Sequence, residues 1–213
     1  MFSLFQSGGP FMYIILGVSI VAFALFFERV SVLYFRLKLD TDSVFQKILF
    51  SLNKFNYRGA LEECAKIEKH PLGRILKAGL LKSDKRDKEI ELAMEENILK
   101  EIPQIKARIN YLAMFANIAT LLGLLGTIVG LVTAFQGVST ADAAVKQEIL
   151  ARGISVAMLT TAFGLVVAIP CLAGFYILSN RGDYLIDQFE EKALGLFNVL
   201  SSLKRDKEAL CQD

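Results

Sequence analysis

The sequence predicts an all-α integral membrane protein with three transmembrane helices, long helices that extend into a cytoplasmic helical bundle. Three observations predict it. No Asp, Glu, Lys, Arg or His occurs in residues 1–27, 109–141 or 153–180. Each window is long enough for a helix rising about 1.5 Å per residue to cross about 30 Å of hydrocarbon. The stretches between carry the charge, with apolar residues at helical spacing. A chain of 213 residues that is 54% hydrophobic cannot supply a soluble shell thick enough to bury three such helices.

The first window opens a segment, 1–38, read as the first transmembrane helix with an outward N-terminus. It has no basic n-region or small-residue cleavage site, and its apolar run ends in Glu28-Arg29, so a retained anchor is expected rather than a cleaved signal. Residues 39–108 are a cytoplasmic helical segment of short amphipathic helices without a large core of their own. "DSVFQKILFSL" puts Val44, Phe45, Ile48, Leu49 and Leu52 on one face. "EKHPLGR" marks a break, because Pro71 restricts His70 and suits a helix first turn. "DKRDKEIELAMEENILKEIPQIKARI" is then expected to run straight into the second span. That span occupies 109–138, a short periplasmic loop 139–151, the third span 152–180 and a C-terminal cytoplasmic helix 181–213. In the last, Ile186, Phe189, Ala193, Leu196, Leu200 and Leu203 form a coiled-coil-like seam. Its partner is either the 36–108 bundle or a neighbouring subunit.

Orientation follows from basic residues. Residues 36–108 hold 16 of the 24 Lys and Arg, and the tail after Asn180 holds 5. Basic loops stay cytoplasmic, so both termini are assigned: N-terminus periplasmic, C-terminus cytoplasmic. Acidic residues number 12 among those 16 basic ones, so this is no polybasic nucleic-acid surface. Cys64, Cys171 and Cys211 are odd in number and scattered, giving no disulfide framework. His70 alone makes no metal site. With no metal cluster, nucleophile–base pair or phosphate-binding loop, neither an enzyme, a cofactor nor a metal is expected.

The spans differ in character. The first is bulky and suits lipid. The second carries a path by fours and threes, Ala116, Thr120, Gly123, Thr127, Gly130, Ala134, Gly137; the third carries Ala157, Thr161, Gly164, Ala168, Cys171. Small faces permit the close backbone approach on which helix association in lipid depends. Helix packing is thus assigned to Gly123, Gly130, Ala134, Gly137, Ala157, Gly164 and Ala168. The hydroxyls add a second reading. Thr120, Thr127, Thr160 and Thr161 are candidates for lining an ion path, helped by Pro170, a kink position that removes a donor and frees the Val166 carbonyl. Neither path holds an Asp, Glu or His, the groups from which membrane proton relays are built. A proton path along these spans needs a carboxylate from another chain.

At "ANIATLLGLLGTIVGLVTAFQGV" and "GISVAMLTTAFGLVVAIP" the sequence resembles the MotA/TolQ/ExbB proton-channel family, and "YRGALEECAKIEKHPLGRILKAGL" is similar to its cytoplasmic segment. Three spans with a large loop after the first resemble the ExbB and TolQ branch. The resemblance implies a homo-oligomeric ring, a pentamer, in the bacterial inner membrane. Inside it would sit an ExbD/TolR-like single-span partner with a membrane aspartate, acting on a TonB- or TolA-like protein. The family's pore-facing threonines fall on Thr127 and Thr161. Its third-span glutamate falls on Val156, and Thr120 replaces a proline of the frequent family motif. The expected function is an ion-conducting motor subunit driving the envelope or outer membrane by a proton gradient. The alternatives are a sodium-driven or gliding-type stator, or a non-conducting membrane scaffold.

Overall fold

The computed structural model describes residues 9–37 and 39–210, and every regular element among them is helical. Cys211 lies outside the described residues. The chain divides into two compact units, one of Met1–Ser31 with Arg108–Ser179 and one of Val32–Ala107 with Asn180–Asp213.

The first unit holds three helices apolar enough to cross a membrane. Helix α1 spans Pro10–Val30, with proline in its first turn, and Gly9 before it takes φ +72°, which L-residues rarely adopt. A π-helical turn, Ser31–Arg36, follows. The outward face of α1 is bulky: Tyr13, Ile14, Ile20, Val21 and Phe27 are exposed. Its inward face supplies Ile15 and Ala22 to a core shared with Ala116, Ala119, Val167, Ala168 and Cys171. Most of that list is small, because three helices can share one seam only where side chains are short.

The second unit contains α2 (Thr41–Asn53), α3 (Tyr57–Lys66), α4 (Pro71–Leu81) and α5 (Asp87–Lys106). Local chemistry starts three of them. Asp40 accepts the Ser43 amide at 3.2 Å, Asn56 accepts the Gly59 amide at 2.9 Å, and His70 Nδ1 accepts the Leu72 amide at 3.3 Å ahead of Pro71. The break expected at His70-Pro71 is therefore a helix start capped by the imidazole. His70 is buried, edge-on to Phe189 at 5.6 Å, and burial holds its pKa below the ordinary histidine value.

Two expectations for this unit need correction. The amphipathic helices do form a large core, uniting Phe45, Ile48, Leu52, Leu72, Ile75, Leu76, Ile90 and Met94 with the C-terminal seam Ile186, Phe189, Ala193, Leu196 and Leu200. The seam's partner is thus the chain's own bundle. Each helix alone offers only a narrow apolar stripe, and the core exists once a fifth helix lies among them. The second correction concerns α5, which does not run straight on. It contains Pro103 and stops at Lys106; Arg108 is left-handed at φ 60° before α6 (Ile109–Thr140) begins. Proline removes a ladder hydrogen bond and crowds the preceding turn, so helix is weakened there.

Several polar groups in this core are paired. Arg74 donates to both Glu101 oxygens at 2.7 and 2.6 Å, and Glu101 is only 5% exposed. Lys192, also buried, reaches Asp42 at 2.6 Å and Glu191 at 3.0 Å, hydrogen bonds that raise its pKa. Burial, with Glu63 adding to it, pushes the Cys64 thiol up to about 12, so it is inert as a nucleophile. Helix α7 runs unbroken from Lys146 to Leu210, through Pro170 and across the 180/181 boundary, so the third span and the C-terminal segment are one helix. Between α6 and α7 only residues 141–145 are non-helical, a shorter connection than the 139–151 loop expected.

Candidate functional site: the paired second and third spans

Helices α6 and the first part of α7 meet along a seam of glycine, alanine and threonine. A Cβ placed on Gly164 would lie 2.7 Å from the Ala119 carbonyl oxygen and 3.2 Å from Gly123 Cα. One on Gly123 would lie 3.2 Å from Thr161 Cα, and one on Gly130 3.2 Å from Ala157 Cβ. These are close approaches, to backbone at Gly164 and Gly123, that a glycine surface permits. Of the packing residues expected, Gly123, Gly130, Ala134, Ala157, Gly164 and Ala168 are buried and Gly137 is half-buried, with Ile149 beside it.

The sequence path missed three members. Ala119 and Gly126 are buried on α6, and Gly153 packs its backbone against Ala134. The signal was present: the smallest residue at each step gives Ala116, Ala119, Gly123, Gly126, Gly130, Ala134. Threonines 120 and 127 are each one residue off that line, which turns them about 100° away.

The four hydroxyls consequently occupy different environments. Thr160 is 1% exposed, donates to the Ala157 carbonyl at 2.8 Å, and fills the space opposite Gly126, whose added Cβ would sit 2.8 Å from Thr160 Oγ1. Thr161 is half-buried and donates across the pair to the Gly123 carbonyl at 3.0 Å. Thr127 is half-buried and donates to Leu124 of its own helix at 2.6 Å. Thr120 is exposed and donates to Ala116 at 3.0 Å. Thr120, Leu124, Thr127 and Leu131 follow one another at steps of four and three along one face, and Leu124 and Leu131 are exposed large residues. Pro170 is exposed within α7.

Val156 lies near the Gly130–Gly153 end of the pair, 3.7 Å from the position of a Cβ on Gly9. It lines a cavity of about 270 Å³ with Gly130, Thr133, Ala134, Ile149, Arg152 and Gly153. Thr133, another hydroxyl that the sequence path did not single out, is bonded to the Val129 and Gly130 carbonyls at 2.9 Å each. Arg152 supplies the only charge among the described residues lining this cavity. Among the described residues, no group of three His, Cys, Asp or Glu could hold a metal ion.

Three apolar helices, two of them packed at backbone distance through an uncharged hydroxyl-bearing seam, define a multi-pass membrane protein. The MotA/TolQ/ExbB proton channel family model matches residues 67–191, more than half of the sequence, and the chain belongs to that family. An ExbB homolog of Methanothermobacter thermautotrophicus, named as a biopolymer transport protein, is 28% identical over 88% of this chain and 66% of its own length. An ExbB-like biopolymer transport protein of Synechocystis is 31% identical over 87% of this chain and 73% of its own. The Tol-Pal system protein TolQ of Haemophilus influenzae is 35% identical over 46% of this chain and 45% of its own. The chain thus spans slightly under two thirds of the relative first named and about three quarters of the second.

Proposed function

We propose that this chain is the wall-forming subunit of an ion-driven motor in the bacterial inner membrane. A ring of copies surrounds a single-span, aspartate-bearing partner of the ExbD/TolR kind. Ion flow past that aspartate, by protons in the leading reading, is converted into mechanical work on the envelope or outer membrane through a TonB- or TolA-like protein. The N-terminus faces the periplasm, and the basic bundle and C-terminus face the cytoplasm. One observation carries the reading: the close-packed pair has no Asp, Glu, Lys, Arg or His from 109 to 141 and 153 to 180, yet keeps Thr120 and Thr127 on an accessible face. An apolar wall would serve anchoring alone; hydroxyls there offer hard oxygen ligands to a cation or a proton-bearing water.

The hydroxyls divide the labour. Thr160 is absorbed in packing, and Thr161 is shared between packing and the path because its donor is engaged by Gly123 while its oxygen remains an acceptor. Thr127 uses only its own helix carbonyl, so removing it tests conduction with least damage to the fold. Co-expression with a single-span, aspartate-bearing protein of the ExbD/TolR kind, followed by flux measurements at varied pH and sodium, is the test. Thr127→Val should lower flux severalfold with assembly intact. Unchanged flux in a stably assembled Thr127→Val ring would favour the scaffold reading instead, which gains support from the engagement of Thr160 and Thr161 in helix packing.

A further inference from the structure

Helix α1 is 21 residues long, about 30 Å, so its last turn reaches the level where hydrocarbon gives way to headgroups. Arg29 sits in that turn and is only 7% exposed. Among the described residues, its Nε is buried without a hydrogen-bond partner. Its Nη2 has Glu28 Oε1 at 3.5 Å, and that same oxygen takes Arg108 Nη1 at 2.6 Å. Two guanidinium groups therefore converge on one carboxylate oxygen, and the nearer one is Arg108. The cluster carries one net positive charge.

A third feature points the same way. Arg108 is the left-handed residue before α6, and no side chain caps that 32-residue helix. Its first-turn amides add the positive end of the helix dipole beside the two arginines. A buried, half-paired cation is costly, and adding an anion is the direct way to offset it. Arg108 remains about half exposed, which leaves its outer donors accessible. The flank of α1 in line with Glu28 is apolar and exposed, with Val21 48% and Ile14 51% accessible. An acyl chain fits that flank, and a soluble anion has no use for it.

We propose that Glu28, Arg29, Arg108 and the start of α6 form a binding site for the phosphate of an anionic phospholipid in the leaflet at that end of the spans. The phosphodiester accepts from Arg29 and Arg108 and faces the α6 amides, while an acyl chain lies along Val21 and Ile14. The site requires that α1 cross a bilayer; it does not require that the protein conduct ions.

The test uses the full-length protein in mild detergent, with native mass spectrometry to count retained phosphatidylglycerol against phosphatidylcholine of the same acyl chains. Wild type should retain phosphatidylglycerol in preference, and Arg108→Gln should lower its retention by about tenfold, the effect of losing one charge-assisted contact. Arg58→Gln, at a side chain 93% exposed on the other unit, should change nothing. Glu28→Gln should keep or tighten binding, because it removes a competing acceptor. Arg29→Gln should behave as Arg108→Gln, and Arg29→Lys carries the arm if the glutamine variant does not fold. Equal retention of the two lipids by wild type, or equal phosphatidylglycerol retention by Arg108→Gln and wild type, overturns the site. Displacement of the lipid by millimolar inorganic phosphate would assign the anion to a soluble source and overturn the lipid reading.

Discussion

Replacing Gly164 by alanine tests the seam with a single methyl group. The added carbon would stand 2.7 Å from the Ala119 oxygen and 3.2 Å from Gly123 Cα. An ordinary carbon–oxygen contact is about 3.3–3.6 Å, so α6 and α7 must separate by more than half an ångström there. Both obstacles are main-chain atoms, which cannot rotate aside. Overpacking of this kind costs about 1–3 kcal/mol. Separation also stretches the Thr161–Gly123 hydrogen bond, worth about 0.6 kcal/mol in a membrane interior. Against this, alanine gains about 0.5–1 kcal/mol of helix propensity over glycine. The net expectation is a loss of about 1–3 kcal/mol. Gly17, on α1, has nothing within 4 Å of its virtual Cβ, so Gly17→Ala should be neutral or slightly stabilising. Unfolding in mixed micelles of increasing sodium dodecyl sulfate, followed by circular dichroism, compares the two. If Gly164→Ala matches Gly17→Ala, the backbone-contact account of the seam is wrong.

Two further outcomes concern the polar bundle. His70 has a folded-state pKa below its ordinary value of 6.5, burial being the main cause, so the unfolded chain binds the proton first. Its contribution is fully present above pH 6.5 and is lost as pH falls from there through the folded value. The dependence of unfolding free energy on pH between about 7 and 5 should flatten in His70→Asn, which keeps a capping side chain but does not titrate; an unchanged slope would refute the assignment. Arg74→Ala strands Glu101 and should cost about 2–3 kcal/mol, below the full value for a buried pair because Arg74 is 37% exposed. Thermal unfolding reads it, and adding Glu101→Leu should recover part of the loss; no recovery would mean that packing rather than the stranded charge sets the cost.

Legibility followed the reach of each interaction. The uncharged windows, the cap at His70-Pro71 and the C-terminal seam rest on neighbours within a turn or two, and each could be read along the chain. The seam between α6 and α7 was visible as smallness, yet its register slipped by one residue at two steps, because Thr and Gly are both small and only the partner helix distinguishes them. Thr160 shows the consequence: adjacent to Thr161 in sequence, it faces Gly126 while Thr161 faces the Gly123 carbonyl. Likewise, the break at Arg108 follows no strong local signal beyond Pro103, five residues earlier.

The sequence by itself determined that this is a three-span, all-helical membrane protein of the MotA/TolQ/ExbB family, since hydrocarbon admits long uncharged helices and excludes charge. Tertiary structure alone decided which hydroxyl packs, which stays accessible, and that Arg29 and Arg108 share one carboxylate oxygen. Those outcomes depend on contacts between residues as far apart as Glu28 and Arg108, and no periodicity along a chain encodes such a distance.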